Sequence, residues 1–367
     1  ITGALVAWEL TQAGMEVVVL DRRDVAHGST AGSTGLLQYE IDEPLHRLIQ
    51  SLGKDRAVRS YRRCCDAIDI IARLVRTLKL DCGFERKQSL LVAARASHTA
   101  RLEREFAARR EAGFHVEWWD RRRLAREGSL PNRAAIASRT AAQIDSYRFT
   151  HGLLAAASRR GAVVHDRTEV TRTRFLPRGV VLRTSRGASV RARRLVVAPG
   201  YEVGQFLKEK LTALHSTYAV VSEPIARFTG WPLDRCLIWD TGAPYLYLRT
   251  TEDHRAIIGG LDEPFRDPTA RDRLLPQKVK ELVRRFRRMF PGIPFEVRSA
   301  WAGTFADTPH GLPYMGQHGG IPHTWFALGY GGNGITYSAL AAELIRDQML
   351  GQRNTDAELF GFSSPRK

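Results

Sequence analysis

At 367 residues and 43% hydrophobic content, the chain can bury a large core and has room for two or three domains, which excludes a disordered polypeptide. No apolar run reaches the ~18 residues of a membrane-spanning helix, no signal peptide is visible, and Cys64, Cys65, Cys82 and Cys236 lack metal-ligand spacing, so free thiols in a reducing cytoplasm are expected. The net charge of +17 comes mainly from arginine spread along the chain, as in Arg121-Arg122-Arg123 and Arg284-Arg285; it reads either as a solvated basic surface or as an anion-binding face.

Ile1-Thr2-Gly3-Ala4 opens into a helical run carrying Leu5, Val6, Trp8 and Leu10, which Ala13-Gly14 ends. Val17-Val18-Val19-Leu20-Asp21 follows as a buried strand. A helix, a glycine stop and an acid-ended strand make the second half of a nucleotide-binding βαβ unit, whose strand-to-helix turn carries Gly-x-Gly-x-x-Gly. Gly3 then takes the place of the third glycine, and Asp21, eighteen residues on, that of the acid that bonds a ribose hydroxyl. The pattern expects an apolar strand ending in Gly-x-Gly upstream of Ile1, so that Ile1 is not the natural start.

Arg22-Arg23-Asp24 leads into Gly28-Ser29-Thr30-Ala31-Gly32-Ser33-Thr34-Gly35, read as a loop. Its small residues let backbone N–H groups approach a ligand closely. Leu36 to Asp42 resumes as an extended segment, and residues 44–80 are helical by the spacing of Leu45, Leu48, Ile49 and Leu52, then Ile68, Ile71 and Leu74. Residues 84–87 and 89–93 read as strands, 98–112 as a charged helix, 116–119 as a strand and 121–127 as a short helix. Residues 131–135 read as a loop. Ile144-Asp145-Ser146-Tyr147 leads into a helix over 148–160, which Gly161 stops.

Ala162-Val163-Val164-His165 is expected as a buried strand, and residues 169–192 as a three-stranded meander. Leu195-Val196-Val197-Ala198-Pro199-Gly200 is a buried strand running into a small-residue turn, which a parallel sheet presents to a ligand at its carboxyl ends. Residues 211–301 alternate short strands and turns, interrupted by a helix over 277–289, and suggest a mainly antiparallel sheet. Trp325 to Leu328 is a strand, Gly329-Tyr330-Gly331-Gly332-Asn333-Gly334 a glycine-rich turn, and a helix runs from about Ile335 to Leu350. The tail after Gly351 is polar and expected to fray.

Four ligand-type loops thus stand at strand ends, around Gly3, 28–35, 198–201 and 329–334. In this order, with Trp301-Ala302-Gly303 and Thr308-Pro309-His310-Gly311-Leu312-Pro313 between the last two, the chain resembles the flavin-dependent amine oxidoreductases of the D-amino-acid oxidase superfamily (the glycine oxidase, sarcosine oxidase and D-amino-acid dehydrogenase group) from Ile1 to about Leu350. The resemblance implies an α/β fold: a Rossmann-like FAD-binding domain, discontinuous over 1–43, 145–210 and 302–350, and an α+β substrate domain over 44–144 and 211–301, with 351–367 as a tail. It implies extended FAD, with Gly3 at the pyrophosphate, Asp21 at the ribose, and Arg22, Gly28, Ser29, Thr30, Ser33 and Thr34 along the phosphates and near side of the flavin. Val170 would meet the adenine, Ala198 and Gly200 would pack on the dinucleotide, and Gly303, Gly331, Gly332, Asn333, Gly334 and Ile335 would hold the ring.

The implied reaction is oxidation of a C–N bond in a D-amino acid, glycine, sarcosine or related amine: a hydride passes from the α-carbon to flavin and leaves an imine for water to hydrolyse. Many members fork the substrate carboxylate with an arginine shortly after Trp-Ala-Gly; here Phe305 stands at that position. Arg249 is either its replacement or a surface residue. Tyr245 and Tyr247 share one strand face and either line an amine pocket or pack a sheet. Gln38 and Tyr39 follow the 28–35 stretch closely enough to approach the flavin, and His310 reads as a turn residue. With no cysteine near Gly303 or 28–35, and His27 the sole nearby candidate tether, FAD is expected to be non-covalent. Oxygen or a quinone would accept the electrons, in the cytoplasm or at the face of the inner membrane. The basic charge keeps two alternatives open, a tRNA-modifying relative acting on an aminomethyl-uridine and peripheral contact with anionic lipid. A third is an inactive, truncated FAD-fold protein.

Overall fold

The amphipathic start of the chain sets the first core. In the computed structural model, which describes residues 1–362 apart from 129, 132, 204, 205 and 208, helix Thr2–Gln12 buries Leu5, Val6, Trp8 and Leu10. Gly14, at φ +77°, turns the chain out of it. These side chains pack with the helices Leu45–Leu52, Lys54–Leu78, Ser146–Arg159 and Gly334–Met349 in one cluster. Asp145 caps Ser146–Arg159 by accepting the Arg148 N–H at 2.9 Å.

The parallel part of the fold consists of two patches. Val18–Leu20 pairs in parallel with Val163–His165, and Leu195–Val197 pairs in parallel with Thr324–Leu328, which continues antiparallel into Tyr314–Gln317. Among the described residues the two patches share no ladder, and both border the same cavity. The expectation of buried strands at 17–21 and 162–165 is corrected accordingly. Val18 and Val163, opposite one another, are each 47% exposed, because no described residue covers the outer side of this two-stranded ribbon.

The second part is a nine-stranded, mainly antiparallel sheet. Its order runs Val297–Asp307, Ala213–Ser222, Ala256–Pro264, Leu246–Thr250, Leu237–Asp240, Glu85–Val92, Ala134–Gln143, Leu36–Gln38, with Val116–Asp120 branching onto Ala134–Gln143. The strand Ala134–Gln143 corrects the loop expected at 131–135. Its alanines have little strand propensity, but partners on both sides and burial override that. Residues 84–93 form one strand, Glu85–Val92, bulged between Lys87 and Ser89.

Helix Pro268–Met289 covers this sheet with Leu282, Phe286 and Met289. It begins nine residues before the expected 277, since Asp267 caps it and Pro268 suits its first turn. Those early turns carry Arg271, Asp272 and Arg273 and so lack the apolar stripe that marks the rest. The tail does not fray as expected through residue 360: helix Ala357–Phe360 buries Leu359 and Phe360 in the first cluster, while 363–367 lie outside the described residues. The whole is α/β, a discontinuous Rossmann-like part joined to an α+β part with a mainly antiparallel sheet.

Candidate flavin and substrate site

A cavity of about 1680 Å³ lies where the carboxyl ends of the parallel strands meet the large sheet. It exceeds the roughly 300–1,000 Å³ of common small-molecule pockets, partly because it takes in the uncovered strip between the two patches. Every site residue singled out above borders it except Arg249, Tyr39, which is buried in the first core cluster, and the turn residue His310.

One end is built from exposed backbone. Helices Thr2–Gln12 and Gly334–Met349 lie side by side, with the Thr2 and Ser338 hydroxyls 2.7 Å apart. Neither N-terminus has a side-chain cap or an acid in its first turn. An added Cβ at Gly3 or Gly334 would meet nothing within 4 Å. Uncapped N–H donors at the positive ends of helices, with open space in front, form a cradle for an anion such as pyrophosphate. Asp21 sits at the end of its strand and accepts the Arg23 N–H at 2.9 Å. Arg22 and Arg23 both pair with Glu202, the latter at 2.9 Å. Val170 opens the meander Val170–Leu176, and Ala198 and Gly200 follow the strand Leu195–Val197, so these residues form the opposite wall.

The stretch 28–35 is not simply a loop, since Ser29–Gly32 makes one helical turn. Its position is held from four directions. Ser146 Oγ donates to the Thr30 carbonyl at 2.8 Å, Trp301 Nε1 donates to Gly32 at 2.9 Å, Arg249 Nε donates to Thr34, and Ser33 Oγ accepts the Gly35 N–H at 3.3 Å. Arg249 is 8% exposed, and its Nη1 donates to the Thr250 carbonyl at 3.2 Å. Burial lowers its pKa to about 10, so it stays cationic at neutral pH. The structure therefore places Arg249 behind the stretch 28–35, where it holds backbone and does not face the cavity.

The far end is aromatic and acidic. Tyr245 and Tyr247 have ring centroids 5.9 Å apart and share the wall with Trp239, Gln38 and Phe305. Burial pushes both phenols well up, so they are donors and not bases at neutral pH. Tyr247 Oη lies 3.4 Å from Thr217 Oγ1. The Gly331-Gly332 turn is pressed against Asp42, which accepts the Gly332 N–H at 2.5 Å. A Cβ at Gly332 would come within 2.7 Å of Asp42 Oδ1 and 3.0 Å of Tyr245 Oη. Burial, opposed by the Gly332 N–H, raises the Asp42 pKa to about 6. Asn333 Nδ2 donates to the carbonyls of Gln38 and Glu40 at 3.3 and 2.8 Å, which fixes the turn to this segment. His310 is a turn residue, its Nδ1 accepting the Leu312 N–H at 3.1 Å.

Asp42, Trp239 and Thr217 escaped the sequence reading. Asp42 was within reach of it, because alternation puts Gln38, Glu40 and Asp42 on one side of an extended segment. Trp239 and Thr217 carry no local signal; pairing of distant strands brings them in. Gly259 carries the Tyr247 ring across its backbone, and an added Cβ there would lie 2.4 Å from the ring. Gly259→Ala is therefore expected to rotate Tyr247 and raise KM for the reducing substrate by about tenfold with little loss of flavin, read by steady-state kinetics beside the flavin-to-protein absorbance ratio.

Open helix ends, a small-residue cradle and a separate substrate wall on one cavity define a dinucleotide-dependent oxidoreductase, and the open backbone at Gly3 and Gly334 suits FAD. The chain belongs to the FAD dependent oxidoreductase (DAO) family, which matches residues 1–348. It is 27% identical over 369 residues to the gamma-glutamylputrescine oxidoreductase of Escherichia coli (strain K12), covering 98% of this chain and 83% of that protein. Glycine oxidase of Geobacillus kaustophilus (strain HTA426) is 24% identical over 381 residues, covering 100% and 94%. The crystal structure of glycine oxidase from Geobacillus kaustophilus shares the fold with a TM-score of 0.81 at 20% identity, over 100% of this chain and 96% of that one.

Proposed function

We propose that the chain binds FAD non-covalently and oxidises a C–N bond of a small amine, leaving an imine that water hydrolyses. The observation that carries this is the single cavity with uncapped helix ends at one end and the Tyr245–Tyr247 wall at the other. Bound FAD supplies the acceptor for the hydride leaving the substrate α-carbon. The chain supplies position: Asn333 and Asp42 fix the glycine turn, Gly303 borders the cavity without a side chain, and the tyrosines form the wall against which the amine lies. Non-covalent binding is supported by the lining: among the described residues it includes no cysteine, and its histidine, His27, packs against the Tyr147 ring at 5.8 Å.

In this reading residues 1–43, 145–210 and 302–350 carry the cofactor, and 44–144 and 211–301 carry the substrate wall. Helices over 45–78 buttress the cofactor half, and Val297–Asp307 crosses the border between them. Oxygen or a quinone takes the electrons in the cytoplasm, with peripheral contact to the inner membrane through the basic surface; no helix among the described residues is long and apolar enough to cross a membrane. The purified protein is expected to show flavin absorbance that acid or heat releases into solution, and to bleach without oxygen on adding a member of a panel of amines and amino acids. Flavin that stays with precipitated protein would refute the non-covalent reading. A flavin that dithionite reduces but no amine does would refute amine oxidation and favour an RNA substrate.

A further inference from the structure

We infer that the substrate of this site is an aliphatic amine without an α-carboxylate, held as a cation against the tyrosine wall by Asp42 and by the charge of Asp262 behind that wall. The inference rests on the proposed amine oxidation and names its substrate class. Asp42 lies open to the cavity beside the Gly331-Gly332 turn. Asp262 stands behind Thr217, a cavity-lining residue whose hydroxyl links it to Tyr247. Its Oδ1 is buried and has no hydrogen-bond partner. The two carboxylates are near enough that Asp42 acts electrostatically on Asp262 and both act on Tyr245. Asp262 does not itself border the cavity, so it acts on a bound cation through its charge, while Asp42 is open to accept the donors that an ammonium supplies.

The cations near this end are already engaged. Arg271 pairs with Asp272 at 2.7 Å and donates to Thr304 Oγ1 at 3.1 Å. Arg249 is spent on the carbonyls of Thr34 and Thr250. Lys278 bonds Glu263 at 2.6 Å and the Leu261 carbonyl at 2.7 Å, and His215 faces Asp307 at 3.2 Å with its ring stacked on Phe305. An α-carboxylate entering here would meet Asp42 and the Phe305 ring, with no unengaged guanidinium near this end among the described residues to fork it. A cation over Tyr245 and Tyr247 gains instead from the ring faces, while its methylene stem covers apolar surface.

The test compares pairs that differ only in the carboxylate, putrescine with D- and L-ornithine and cadaverine with D- and L-lysine, by anaerobic stopped-flow bleaching of the flavin-loaded protein. The diamine is expected to bleach flavin at least about tenfold faster at equal low concentration. Asp262→Asn, which leaves the cofactor cradle untouched, is expected to raise the diamine KM about tenfold while flavin content and the bleaching rate at saturation hold. An amino acid that matches or outpaces its diamine overturns this inference and leaves amine oxidation standing. A flavin that neither member reduces, in protein that dithionite bleaches, overturns both. Unchanged KM in Asp262→Asn removes Asp262 as the cation's partner.

Discussion

Replacing Gly35 by alanine is expected to yield protein that retains no flavin, or none that folds. Gly35 closes the stretch 28–35 at φ +71°, a conformation that costs an alanine about 1–2 kcal/mol. Its missing Cβ would stand 2.0 Å from the Ile144 carbonyl oxygen and 3.3 Å from Arg249 Nη2, and the first of these is backbone that cannot swing aside. Ile144 donates its own N–H to the Gly35 carbonyl at 3.0 Å, so the two segments are clamped together. Any shift carries Thr34 and Ser33, which border the cavity, away from their places and frees the buried Arg249 guanidinium from Thr34. The flavin-to-protein absorbance ratio and the thermal midpoint check it. A Gly35→Ala protein with a full complement of flavin and an unchanged midpoint would refute this account of the clamp.

The second large effect is expected at Arg109, which does not itself border the cavity but bonds Glu40, which does. Its guanidinium is fully buried, bonded to Glu105 at 2.7 Å and Glu40 at 3.2 Å, with the Tyr39 and Tyr61 rings 5.7 and 5.9 Å away. Glu105 in turn accepts His46 Nδ1 at 2.7 Å and the backbone N–H of Leu45 and His46, and Glu40 accepts Ser89 Oγ at 2.9 Å. Arg109→Ala leaves two carboxylates buried without their counter-charge, a change that costs about 3–5 kcal/mol. Denaturant titration should show it as a lower midpoint. Burial opposes ionisation of Glu105, but the charge of Arg109 and the His46 hydrogen bonds override it and hold the carboxyl to about 2. A depressed folded-state pKa gives stability that is complete above the ordinary carboxyl value near 4.5 and is lost as pH falls toward about 2. Arg109→Ala should therefore flatten the acid limb of the stability profile as well as lower it. Since Asn333 holds the Glu40 carbonyl, the loss reaches the glycine turn 331–334 too.

The cofactor end was legible in the sequence because its requirements are local. Gly3 at a helix start, Asp21 at a strand end, and glycines 331, 332 and 334 between a strand and a helix each declare themselves within a few residues. The substrate end was partly legible. Tyr245 and Tyr247 alternate on a strand and do border the cavity, but the same alternation put Arg249 with them. One further step along the strand carries Arg249 past the cavity to the backbone of Thr34, which no spacing rule reveals.

Element by element the pattern is the same. The amphipathic helices were readable from their apolar stripes, whereas Ala134–Gln143 was not, because alanine becomes a strand residue here through its neighbours. By itself the sequence determined the order of most elements, the cofactor class and the absence of an arginine at position 305, since these depend on residue type and short spacing. The tertiary structure alone decided that Asp42, Thr217 and Asp262 meet at the tyrosine wall and that Arg249 does not. The first and last of those positions are more than two hundred residues apart along the chain, and only the pairing of distant strands brings their side chains within the few ångströms over which charge and hydrogen bonding act.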